Sequence, residues 1–166
     1  MQLLGSIFLF LHVGGVIVAF GPTIAFPLIG SRAAREPMHG NFALRTSEFI
    51  ANHVVEPGAA FVFLMGIGLI WARGWNPFTT FWLGLAIILF LITISYNVFV
   101  GAKVVKRMIE LTSGPPPAAA EGAPAGPPAG PPPEFVALAR RSAMGGMMSL
   151  LLLASILFLM VFKPTL

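Results

Sequence analysis

Cysteine is absent from the 166-residue sequence. That excludes a disulfide framework, a thiolate metal site and a cysteine nucleophile. Charge is scarce too: Asp, Glu, Lys and Arg make up 10% of the chain, against 57% hydrophobic residues. A soluble domain carries about a quarter charged residues, so the composition sets this chain apart from that class. Nothing basic precedes the first apolar run, and the first arginines, Arg32 and Arg35, follow it. A retained helix with a translocated N-terminus is expected, rather than a cleaved leader. The G-x-x-x-x-G-K-[ST], H-E-x-x-H and G-x-S-x-G motifs are missing, which leaves nucleotide, zinc-protease and serine-hydrolase readings without support. No internal repeat divides the chain, and its length allows one domain.

What the sequence does hold is four long apolar runs. A run of ~20 residues at ~1.5 Å per residue crosses a hydrocarbon core of ~30 Å. The fold expected is all-α: an integral membrane four-helix bundle with helices at about 3–28, 54–73, 77–101 and 142–162. Residues 114–133 are low-complexity Pro/Ala/Gly and are expected to form a disordered linker. The net charge of +4 signals membrane topology and anionic-lipid contact rather than nucleic acid, because the basic residues border the apolar runs. Arg32, Arg35, Arg45, Lys103, Lys106, Arg107, Arg140 and Arg141 lie on the 1–2 and 3–4 connections; Arg73 and Lys163 lie on the other side. By the positive-inside rule both termini are outside and the two long connections are cytoplasmic.

The polar residues inside or beside these runs are the candidates for chemistry. His12 lies deep in the first run, where a histidine is costly and needs shelter inside the bundle. At helical spacing it shares a face with Gly5, Phe8, Gly15, Ala19 and Thr23, mostly small residues that allow close helix approach. Neutral imidazole ligates iron and copper and titrates near neutrality, so His12 is a candidate haem ligand, metal ligand or proton relay. The alternative is a packing histidine bonded to a neighbouring helix. Glu48, Asn52 and Glu56 recur every four residues, with His53 beside Glu56 and Pro57 interrupting the ladder. They form a candidate proton-transfer or cation cluster, which Tyr96 and Asn97 of the third helix could complete; the plainer alternative is a solvated interfacial face. Met144, Met147 and Met148 offer soft thioethers to Cu(I), or simply pack. Trp71, Trp75 and Trp82 are expected as interface anchors. A bis-histidine haem on His12 and His53 is disfavoured, because their depths differ by ~20 Å at ~1.5 Å per residue.

Leu11-His12-Val13-Gly14-Gly15, Phe20-Gly21-Pro22, Val55-Glu56-Pro57-Gly58 and Leu64-Met65-Gly66-Ile67-Gly68-Leu69 resemble a bacterial family of uncharacterised predicted four-helix integral membrane proteins, over the first three helices. More distantly, the early histidine followed by a small-residue turn is similar to HemJ-type protoporphyrinogen oxidases and CopD-type copper proteins. That resemblance implies haem or copper at the matching position, His12, although the tryptophan that follows soon after in those groups is missing here. The leading expectation is a small inner-membrane protein of bacteria that binds b-type haem through His12, with a redox or proton-transfer role. The alternatives are a copper or small-solute transporter and a non-catalytic accessory subunit of a membrane complex. The small-residue helices suit a homo-oligomer or a larger complex.

Overall fold

In hydrocarbon every backbone N–H and C=O must pair within its own segment, and uncharged runs of this length do so as helices. The computed structural model describes residues 2–113 and 131–164, so most of the proline-rich linker expected at 114–133 lies outside the described residues. The chain makes four antiparallel helical spans of 30 to 34 residues: Gln2–Arg35, Gly40–Arg73, Phe81–Thr112 and Pro133–Phe162. At ~1.5 Å per residue these exceed a ~30 Å core. The surplus is amphipathic and sits at the end that carries the two long connections. The protein is an all-α membrane helical bundle.

Three of the spans change helical register partway, each at a residue that interferes with the ladder. In the first, α1 (Gln2–Phe20) gives way to a 3-10 turn over Gly21–Ile24, and α2 (Ala25–Arg35) resumes. Pro22 has no N–H to donate there, and Thr23 Oγ1 donates to the Phe20 carbonyl at 2.6 Å. In the second span, α3 (Gly40–Ile50) and α4 (Glu56–Arg73) are joined by a π turn over Ala51–Val55. Pro57 follows it directly, and widening the preceding turn moves the His53 carbonyl away from the pyrrolidine ring. In the third, α5 (Phe81–Tyr96) and α6 (Ala102–Thr112) flank a π turn over Asn97–Gly101. Here the Asn97 side chain enters the ladder, its Nδ2 donating to the Thr93 carbonyl at 2.8 Å. The fourth, α7 (Pro133–Phe162), runs unbroken from a proline at its first position. Gly74 closes α4 in the left-handed region, at φ +66°.

The spans pack as two hairpins. α1 lies along α4, with Gly5 beside Arg73, Phe8 over Gly68, His12 against Gly66, Gly15 against Phe61 and Val62, and Ala19 against Gly58. The backbones themselves come close at the last pair, where a Cβ on Gly58 would lie 2.6 Å from the Ala19 Cβ and 3.1 Å from its Cα. So the small face read around His12 is the face turned to the second span. The other hairpin packs α5 on α7 around Trp82, Leu83, Ala86 and Leu159. Trp82 is therefore buried (5% exposed) and not a lipid-facing anchor. It stands edge-on to Trp75 at 5.3 Å, and Lys163 lies over both rings at 5.3 and 5.7 Å from their centroids. Trp71 does face outward. Stacking of Phe63 on Phe90 at 5.7 Å links the hairpins in the apolar zone, and α3 packs on α6 at the amphipathic end.

Candidate functional site

His12 sits in the middle of the α1–α4 seam. Its Nδ1 lies 2.9 Å from the carbonyl oxygen of Val62. A carbonyl only accepts, so Nδ1 carries the proton, and in the neutral ring Nε2 carries the lone pair. Gly66, one helical turn along from Val62, makes room for the ring: a Cβ there would meet Cε1 at 3.2 Å and Nδ1 at 3.4 Å. Nε2 makes no hydrogen bond among the described residues. No buried side-chain nitrogen or oxygen among them lacks a partner, so Nε2 keeps open surface instead of being sealed in. The ring is thus held by one nitrogen and offers the other. This is the arrangement in which protein-bound imidazoles ligate a metal, the backbone carbonyl fixing the tautomer and the ring plane.

The second cluster does not assemble as the sequence suggested. His53 is exposed, its Nδ1 donating to the Phe49 carbonyl of its own helix at 3.0 Å and its ring stacked on Phe49 at 4.2 Å. Glu48, Asn52 and Glu56 make no side-chain hydrogen bond or ion pair among the described residues, and Asn52 and Glu56 are exposed. Tyr96 and Asn97 turn instead to the fourth span. Asn97 Nδ2 donates to Ser149 Oγ at 3.0 Å, and the Tyr96 ring occupies the space that a side chain at Gly145 would need. The reason is register: Tyr96 and Asn97 continue, at helical spacing, the stripe of α5 that packs on α7 through Leu83 and Ala86. Met144, Met147 and Met148 are 65, 62 and 41% exposed on the outer face of α7. No three His, Cys, Asp or Glu side chains converge on a metal-sized point among the described residues. His12 and His53 are also far apart: His12 lies level with Val62, nine residues from His53, or ~13 Å along the helix.

The sequence reading missed a polar clamp between the hairpins. Asn41 Nδ2 reaches the Ile109 carbonyl at 3.3 Å, Thr112 Oγ1 at 2.9 Å and Ser113 Oγ at 3.1 Å, which caps the C-terminus of α6. Arg45 braces Asn41 (Nε to Oδ1, 2.8 Å) and also reaches Ser113 Oγ at 3.1 Å. The four-residue spacing of Asn41 and Arg45 was the available signal. Across the 3–4 connection, Arg107 forks onto Glu134 at 2.8 and 3.3 Å and also meets Glu110 at 3.2 Å.

No curated protein and no solved structure matches the chain. A likeness to HemJ-type or CopD-type proteins is not shown by these comparisons. Residues 6–164 match the model of a family described as predicted integral membrane proteins, and the chain belongs to that family, DUF2269.

Proposed function

We propose that this multi-pass membrane protein holds a b-type haem, with His12 Nε2 as its single protein ligand from this chain. One observation carries the reading: an imidazole within an apolar span is fixed through Nδ1 by the Val62 carbonyl while Nε2 is left open. Val62 sets the tautomer, Gly66 gives the ring room, and the small residues of the seam keep the backbones close enough for both. When bound, the haem supplies one-electron redox chemistry. We place the protein in a bacterial inner membrane with its termini outside, on the count of eight basic residues against two. The test is an absorption spectrum of the detergent-purified protein expressed with haem supplied. A Soret band in the native chain, lost in His12→Ala, is expected; a native chain without the band overturns the reading.

A second reading has its own support. No large side chain is fully buried among the described residues, and the His12–Val62 bond also ties two spans together. Both fit an accessory subunit that packs against other membrane proteins, as a second copy or in a complex. Under it His12→Ala lowers stability or assembly, and neither chain shows a haem spectrum. The outward methionines favour lipid contact over a copper path, and metal analysis with proteoliposome uptake separates a transporter from both readings.

A further inference from the structure

Where α6 and the preceding π turn lie beside the start of α7, a groove of about 270 Å³ opens at the amphipathic end of the third and fourth spans. Its apolar wall is Phe99, Val100, Val104 and Leu138, and its two polar side chains are Lys103 and Arg141. The two cations stand where the apolar runs of their spans give way to the connection, so both sit at the same edge of the bilayer. Acidic neighbours do not neutralise them. Among the described residues Glu110 and Glu134 are taken up by Arg107, and no carboxylate lies within ion-pair distance of Lys103 or Arg141.

We propose that this groove is a binding site for one anionic phospholipid. Lys103 and Arg141 take the phosphate of the headgroup, and an acyl chain lies along Phe99, Val100 and Leu138. Charge complementarity selects the anion: two positive side chains face one opening, and a guanidinium can take two phosphate oxygens at once. The apolar wall selects the lipid over a free anion, because it continues into the hydrocarbon zone and offers a soluble phosphate nothing to bond. A zwitterionic lipid carries its own cation into the same space and loses the advantage. The groove owes its shape to the π turn, which carries both Phe99 and Val100.

The experiment counts retained lipid by native mass spectrometry on the full chain in detergent, titrated with phosphatidylglycerol or phosphatidylcholine. Without a bilayer, the general attraction of a charged surface does not contribute. Three variants are compared: Lys103→Gln with Arg141→Gln, the control pair Lys106→Gln with Arg140→Gln, and Leu138→Trp, which fills the groove and keeps both cations. At about fivefold per cation, the upper end for a solvent-accessible ion pair, the groove pair should weaken phosphatidylglycerol retention roughly 30-fold, with the control pair within about threefold. Leu138→Trp should lose retention as well, and phosphatidylcholine should be held poorly by every chain. Equal losses in the two charge pairs, equal retention of the two lipids, or displacement of the lipid by millimolar inorganic phosphate would each overturn the proposal. Melting curves on all chains separate a lost site from a lost fold.

Discussion

At the scale of single residues, the seam between the first two spans depends on atoms that are not there. Gly66 gives the His12 ring its place, and even one added carbon meets it at 3.2 Å. Gly66→Val is expected to push the ring off the Val62 carbonyl and destabilise the protein by ~1–3 kcal/mol, as overpacking does. Thermal denaturation in detergent checks this. In a haem-loaded sample the same variant should shift or weaken the Soret band while leaving His12 in the sequence. His12→Ala removes the interhelical bond, which in a membrane is worth roughly 0.6–2 kcal/mol. A larger stability loss would mean that the ring does more packing than bonding.

At the scale of helices, the two π turns mark where two of the spans change character. Both stand between an apolar half and an amphipathic half of their span, and each follows from one side chain: Pro57 in one case, Asn97 in the other. Asn97 is the better test because its partner is known. A double-mutant cycle on Asn97→Ala and Ser149→Ala should return a coupling of about 0.6 kcal/mol, with ~1.7 as the upper end for such bonds. Zero coupling would mean that the 3.0 Å contact carries no energy. Part of this arrangement could be read in advance. The apolar runs and the small face around His12 were legible because they repeat along a straight helix, and periodicity is a local property. The destination of Tyr96 and Asn97 was not, since helical spacing shows which residues share a face but not which of the other spans covers that face. His53 was visible as a polar residue near Pro57, but its bond to Phe49 within the same helix looks, in sequence, like any other four-residue spacing.

At the scale of the molecule, the two hairpins meet through α3 and α6, and Asn41 with Arg45 fastens that meeting by capping the third span. Asn41→Ala should leave both hairpins formed and cost ~1–2 kcal/mol through the freed cap. Proteolysis near Ser113 should quicken in that variant before the melting temperature falls far. The charge distribution sets a second expectation: a protease site appended after Leu166 should be cut from the external face of sealed spheroplasts, and protection there would reverse the topology. The Arg107–Glu134 fork has a consequence for the covalent chain. Together with the packing of α5 and α6 on α7, it holds the exit of the third span beside the entry of the fourth. Severing the peptide that joins them, by expressing residues 1–113 and 131–166 as separate polypeptides, should therefore still yield a co-purifying pair.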